Sequence, residues 1–588
     1  MNSKTLSAAI PAILTLGVGC QSLAAEIAWV ELEGALASKP DPFAWFTGDI
    51  QPTLLDTVRG IEALAWDNDI DGVFVRLKDA ALSTTDVEEL GRALDAVRNS
   101  GKRVHLYAEG YGPNEILLGS YADERILQQG GAVSMPGLYM EEMFLADMLG
   151  WLGVRADMVQ VGDYKGASEA TGRSRPSKEW DENISGLLDG LYGAMQEQIT
   201  AGYGLSDSDF DDALSEMWLA NGDRAIEAGL IDAEVDFPAL DAHLAQHYGN
   251  EIEWMDDVDL GAGGMNIDTS NPFALFQMLS AEPDNSPRGD TLAVLHVAGT
   301  IIDGESSAGG FTGAESTGSR TIRRQIEMLI NEDDIRGVVV RIDSPGGSAI
   351  ASEVIWQGLQ LLAEHKPVWI SVGSMAASGG YYTAVGGSKI YMNPSSIVGS
   401  IGVVGGKYAM GDLYEKLKVN VVGRSRGPRA DLFASDRVWN EEQRRLVRDR
   451  MVETYDLFTE RVTEGRPNID LSMTAEGRLF EGDRALRLDM VDEIGGLDDA
   501  LDDLAAELDL DDYDVLHYPG PKSLEDLIEE SFGGFLLGAP TDGAAMLQPV
   551  RAILGEARFN AAAGQLEAAM LLRDEHVLAV MPMVLLRR

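Results

Sequence analysis

Between residues 321 and 386 the apolar positions change period in a regular rhythm. Thr321–Asn331 and Ser352–Glu364 carry apolar residues three and four apart, the spacing of one helix face. Val338–Ile342 and Val368–Val372 are instead short, mainly β-branched runs of strand length, and a helix of small residues is expected from about Ala376. Strands alternating with helices in this way predict βαβ units around a largely parallel sheet.

The rhythm occurs twice. Asp69-Ile70-Asp71-Gly72-Val73-Phe74-Val75-Arg76-Leu77 aligns with Asp334-Ile335-Arg336-Gly337-Val338-Val339-Val340-Arg341-Ile342 at an offset of 265 (337 less 72). Gly222-Asp223-Arg224-Ala225 aligns with Gly482-Asp483-Arg484-Ala485 at an offset of 260 (482 less 222). Two distant anchors with nearly one offset mark a tandem duplication. The copies are expected over residues 26–250 and 291–510, joined by a linker over 251–290 and followed by an extension over 511–588. Within the linker, Pro272–Leu279 reads as a small amphipathic docking segment. Leu501–Asp514 is densely acidic, and the apolar run Val577–Leu586 is too short to span a bilayer, suiting packing or membrane-surface contact.

Composition narrows the class. With 588 residues, 45% apolar and 24% charged, the chain is globular rather than disordered or collagenous. Its net charge of −50 repels phosphate backbones, which disfavours nucleic acid as a partner and suits solubility or life in high salt. The single cysteine, Cys20, excludes an intrachain disulfide framework and a cysteine-built zinc site. Residues 1–25 read as a signal peptide: Lys4 at the head, an apolar stretch from Leu6 to Val18, and small residues up to Ala25. Gly17-Val18-Gly19-Cys20 also resembles a lipid-attachment box, so plain cleavage and lipidation at Cys20 are both open.

Chemistry is expected where the copies diverge. After the shared strand the second copy continues Asp343-Ser344-Pro345-Gly346-Gly347, the first Lys78-Asp79-Ala80-Ala81-Leu82. Paired glycines after a strand let backbone N–H groups face a cleft, where they can stabilise an oxyanion. After the next strand the second copy has Ala376-Ala377-Ser378-Gly379-Gly380-Tyr381-Tyr382, and the offset places Asn114 where Ser378 stands. A serine at a strand-to-helix turn has an accessible Oγ and can act as a nucleophile. None of the seven histidines stands in a hydrolase arrangement, and no Gly-x-Ser-x-Gly elbow surrounds Ser378, so the base is sought among lysines. Lys165, in Val161-Gly162-Asp163-Tyr164-Lys165, is the candidate, and an approximate alignment puts Arg426 at its place in the second copy. An arginine cannot accept a proton near neutral pH. One copy thus keeps a possible base and the other a possible nucleophile.

Taken together, Ser344-Pro345-Gly346-Gly347, Ala376 to Tyr382, Gly399-Ser400-Ile401-Gly402-Val403 and Tyr164-Lys165 resemble the signal peptide peptidase A (protease IV) family in its long, duplicated form, from about Ile27 to Leu504. The resemblance implies tandem Clp/crotonase-like α/β domains built from spiral ββα units. It also implies a Ser–Lys endopeptidase of the bacterial envelope that degrades released signal peptides and other short apolar peptides. By that match Ser378 is the nucleophile, Lys165 the general base and Ser400 the residue orienting the lysine. Gly346 and Gly379 supply the oxyanion hole, and the assembly is a homotetramer with possible membrane association. No cofactor or metal is implied, since no phosphate-cradling loop or metal-ligand spacing occurs. The chain departs from the family after Lys165, where Glu169 is kept but the usual Pro-Phe is lost, and at Asp343, which replaces the usual asparagine, a change of little consequence if it faces solvent. Two alternatives are a catalytically silent envelope scaffold and a crotonase-type acyl-CoA enzyme, the latter a poor match for so negative an exported chain.

Overall fold

The computed structural model describes residues 24–42, 51–249, 251–256, 258–261, 285–307, 315–521, 577–581 and 585–587. Cys20 and most of the signal peptide, the docking segment Pro272–Leu279 and most of the C-terminal extension lie outside them. Ala25, expected as the last signal-peptide residue, opens the first strand and is buried.

The duplication is built as two largely parallel sheets with matching strand orders, each with an antiparallel edge strand. In the first half the order is Ala220–Asn221, Glu124–Val133, Arg103–Tyr111, Gly72–Lys78, Ala25–Glu33, Ile252–Met255. In the second it is Leu479–Phe480, Ile397–Gly399, Val368–Ala377, Ile335–Ser344, Thr291–Ala298, Asp514–Tyr518. The last strand of each order adds in parallel to its copy's first strand, so the sheets reach Met255 and Tyr518. The expected tandem α/β architecture is therefore present. Strands are longer than the apolar runs that announced them: Val338–Ile342 is the centre of Ile335–Ser344, and Val368–Val372 opens Val368–Ala377. The small-residue helix starts later than expected, at Gly379, because Ala376 and Ala377 still pair as strand.

These central strands are continuous apolar runs because both of their faces are covered. Val338, Val340 and Ile342 pack on one side with Ile326, Ile355 and Leu359, while Val339 packs on the other with Trp369 and Leu501. The halves share part of this second core: Leu55 of the first copy packs among Val339, Trp369 and Leu504. A buried ion pair crosses the same boundary. Arg341 donates to Glu89 Oε1 at 2.6 Å, and the carboxylate also accepts from Asn393 Nδ2 at 2.9 Å and Leu497 N at 3.3 Å.

A third sheet joins the copies. Its order is Ser316–Gly318, Thr300–Ile302, Gly346–Ser348, Leu578–Val580, Val403–Ala409, Arg155–Val161. The strand Arg155–Val161 of the first half runs antiparallel along Val403–Ala409 of the second, from Val161 opposite Val403 to Arg155 opposite Ala409. No counterpart strand forms around Arg426, which lies in an exposed irregular stretch.

Candidate active site

Ser378 follows directly on the strand Val368–Ala377 and caps the N-terminus of the helix Gly379–Ala384. Its backbone is unusual, with φ 55° and ψ −112°, a region that non-glycine residues rarely occupy and that strained functional turns use. The turn is pinned by Ser378 N–H donating to Gly399 O at 2.8 Å and Ser378 O accepting from Tyr382 N at 2.8 Å. Counted from the helix caps, Ser378 corresponds to Gly112 of the first copy, not to Asn114, which lies inside the helix Pro113–Gly119. The first copy's helix starts two residues earlier than a constant sequence offset allows.

Lys165 comes from the other half. It follows the strand Arg155–Val161, whose pairing with Val403–Ala409 brings it beside the loop carrying Ser400. Lys165 Nζ lies 2.6 Å from Ser378 Oγ, 2.8 Å from Ser400 O and 2.9 Å from Ser400 Oγ. The sequence-predicted nucleophile, base and orienting serine thus meet within one chain. Lys165 and Ser378 have no exposed surface, and Ser400 is 1% exposed. Burial pushes the Lys165 amine well below its ordinary pKa, with no charged neighbour offsetting the effect. All three contacts are to oxygens, with Lys165 Nζ donating to Ser378 Oγ, Ser400 O and Ser400 Oγ.

Packing around the lysine draws on residues the motifs did not single out. A Cβ on Gly477, whose φ is +92°, would lie 2.5 Å from Lys165 N and 2.6 Å from its Cα. Only glycine allows the backbone to approach so closely in that conformation. Tyr164, next to the base, lies under the Arg478 guanidinium, 3.9 Å from its ring centroid.

The oxyanion assignment is revised by the geometry. Gly379 is the first residue of its helix, where N–H groups lack intrahelical partners. Gly346, at φ +93°, turns its N–H instead to Ser344 Oγ at 3.1 Å, and Ser344 Oγ in turn donates to Gly299 O at 2.6 Å. The strand Leu578–Val580 runs antiparallel to Gly346–Ser348, with Gly346 opposite Val580 and Gly347 opposite Ala579. Met581 N–H donates to Pro345 O at 2.8 Å. In an antiparallel ladder bonded and non-bonded pairs alternate, so the next bonded pair is Ala579 with Gly347, and the N–H facing that strand is Gly347's. The signal was in the sequence, as the second glycine of Ser344-Pro345-Gly346-Gly347, but which of the two faces the cleft depends on the ladder.

One further expectation is corrected, and one condition is not met. The Ser378 hydroxyl is buried rather than accessible, in a groove that Leu578–Val580 occupies. Asp343 does not face open solvent: burial raises its carboxyl pKa, opposed by Arg341 and by hydrogen bonds from the Ser374 and Met375 N–H groups.

Comparison with known proteins points to one family. The model of peptidase family S49 matches residues 96–249 and 360–511, once in each half. "Protease 4" of Haemophilus influenzae is 30% identical over 464 residues, 76% of this chain and 71% of that protein. "Protease 4" of Salmonella typhi is 27% identical over 488 residues, 82% of this chain and 76% of its own. "Serine protease SPPA, chloroplastic" of Arabidopsis thaliana is 28% identical over 446 residues, 74% of this chain and 63% of that protein.

Proposed function

The chain belongs to peptidase family S49, a family of serine proteases, and from that premise we propose that Ser378 and Lys165 are its catalytic pair. The observation that carries this reading is the fully buried Lys165 amine 2.6 Å from the Ser378 hydroxyl. Burial lowers the amine's pKa and so favours its neutral form, which takes the serine proton as Oγ attacks a peptide carbonyl. The resulting ammonium then protonates the departing amine, leaving an acyl-enzyme. Water, deprotonated by the regenerated amine, resolves that ester and returns the serine. Ser400 orients the amine through two hydrogen bonds. The oxyanion donors in this reading are the N–H groups of Gly379 and Gly347, with Gly346 shaping the turn between them. In mutagenesis elsewhere, one such donor is worth about 2.7–4 kcal/mol of barrier.

The substrates we propose are extended apolar peptides, signal-peptide remnants among them. Support comes from the apolar residues near the pair: Trp180, Ile397 and Leu479 cluster with Ala377, next to Ser378, and Val404 lies in a second apolar cluster. Assembly as a homotetramer and a place in the bacterial envelope belong to the same proposal. Among the described residues no helix is long and apolar enough to cross a membrane.

A serine-directed acylating probe with intact-mass detection tests the dyad. One adduct per chain is expected, absent in Ser378→Ala and strongly slowed in Lys165→Ala. An adduct that survives Ser378→Ala, or Lys165→Ala hydrolysing peptides at the parent rate, refutes it.

A further inference from the structure

The first half carries a cluster of imidazoles and one carboxylate that takes no part in the dyad. His243 and His247 stand one turn apart on the helix Leu240–Tyr248, so both rings project from one face. Leu240 and Leu244 hold that helix on the first sheet, packed with Ile27, Phe74, Tyr107 and Ile126. The rings thereby meet Glu124, the first residue of the strand Glu124–Val133 and 119 residues from His243 in the chain. The spacing of the two histidines gains a meaning only once this packing supplies the third member.

Both rings aim the same nitrogen at the same atom. His243 Nε2 lies 2.7 Å and His247 Nε2 3.0 Å from Glu124 Oε1. One ligand atom from each of the three residues lies within 4.8 Å of the others. Tetrahedral bonds of about 2.0–2.1 Å set such atoms about 3.3 Å apart, inside that range. The other carboxylate oxygen accepts from His105 Nδ1 at 2.6 Å, and His105 Nε2 is 2.9 Å from the Tyr248 hydroxyl. His105 is fully buried, whereas the His243 and His247 side chains are 21% and 28% exposed. The carboxylate is therefore oriented from behind while the rings face solvent, the arrangement by which a three-ligand site keeps an open position.

The second half lacks the set. There Trp369 stands opposite Lys389, as His105 stands opposite Glu124, and Lys389 Nζ lies 3.8 Å from Asp503 of the helix Leu497–Glu507. An ion pair takes the place that the carboxylate and imidazoles hold in the first half. Divergence between the copies, which singled out the dyad, singles out this cluster as well.

We propose that Glu124, His243 and His247 form a binding site for a divalent transition-metal ion, zinc first, which clasps the helix Leu240–Tyr248 to the strand Glu124–Val133. Two imidazoles and a carboxylate suit zinc, copper or nickel, whereas magnesium and calcium prefer oxygen ligands. The net charge of −50 concentrates cations around the chain. Arg103 competes with the ion. Its Nη1, which can only donate, lies 3.2 Å from His247 Nδ1, so that nitrogen accepts and the ring hydrogen sits on Nε2, toward Glu124. In a metal-bound ring Nε2 gives its lone pair and Nδ1 carries the hydrogen, so the exposed Arg103 side chain must turn away to solvent. The site is independent of the peptidase reading and shares no residue with it.

The test uses the full chain, stripped with a chelator and titrated with zinc chloride against a chromogenic zinc indicator. Millimolar magnesium in the buffer occupies exposed carboxylates without taking imidazole. One tight equivalent of zinc per chain is expected, together with a rise in thermal midpoint. His243→Gln and His247→Gln, at partly exposed positions, are expected to lose both while keeping the parent's circular dichroism. His105→Phe, which removes the bond behind the carboxylate, is expected to weaken binding about 10- to 100-fold. Arg103→Gln is expected to tighten it. The parent loaded with cobalt(II) gives a reading that needs no variant: intense visible bands report a four-coordinate set, and the weak bands of the octahedral aqua ion refute it. Absence of a tight equivalent in the parent, or one that survives both histidine substitutions, overturns the proposal.

Discussion

Replacing Lys165 by methionine separates a neutral buried amine from a charged one without measuring catalysis. Methionine is unbranched and apolar, and fills the space of the lysine stem. A free lysine titrates at about 10.4, and each pH unit by which burial lowers that value costs the fold about 1.4 kcal/mol relative to the unfolded chain. The three hydrogen bonds of Lys165 Nζ offset that cost by about 1 kcal/mol each. The methionine variant escapes the cost and forfeits the bonds, so its stability relative to the parent at pH 7 reads which of the two is larger. The pH dependence carries the sign. The amine's pKa is lowered in the fold, so the folded state binds fewer protons than the unfolded state, and the parent gains stability as pH rises toward about 10.4. The variant lacks this gain. Between pH 7 and 10 the difference is expected to move in the parent's favour, by up to about 1.4 kcal/mol per pH unit. Urea unfolding of both proteins at pH 7, 8, 9 and 10 measures it. A difference that stays constant over that range would mean that Lys165 keeps its proton in the fold, and the base assignment would fall.

Ser400→Ala removes one of the two acceptors that aim the amine, and a 10- to 100-fold fall in kcat with a fold unchanged by circular dichroism is expected. Gly346→Ala puts a methyl group 2.2 Å from Ala579 O and 2.6 Å from Gly379 N at a φ of +93°, so loss of at least 100-fold in kcat/KM and a lower thermal midpoint are expected. Parent-like turnover would show that the turn is not built as described. Glu89→Ala leaves the Arg341 guanidinium buried and unpaired, and about 3–5 kcal/mol of stability should be lost, read from denaturant midpoints at constant m. The parent's kcat/KM is expected to rise with pH through the lowered lysine pKa, because the neutral amine is the active form.

The duplication and the largely parallel sheets were legible in the sequence, because each rests on a local cause, and Ser378 and Lys165 stood out as candidates from the comparison of the two copies, whereas Ser400 came only with the family resemblance. Period-two and period-3.6 patterns are properties of neighbouring residues. A missing partner in each copy is visible from alignment alone, and Gly477 could be found only as an isolated glycine after Glu476. What needed the tertiary structure was everything that depends on pairing between distant strands. The antiparallel ladder of Arg155–Val161 on Val403–Ala409 decides that base and nucleophile meet within one chain. The ladder of Leu578–Val580 on Gly346–Ser348 decides that Gly347 rather than Gly346 turns its N–H to the groove, since strand register alternates which backbone groups face a partner. The low pKa of the amine is likewise collective: no residue near Lys165 in sequence desolvates it by itself, and only the closure of both halves around it does.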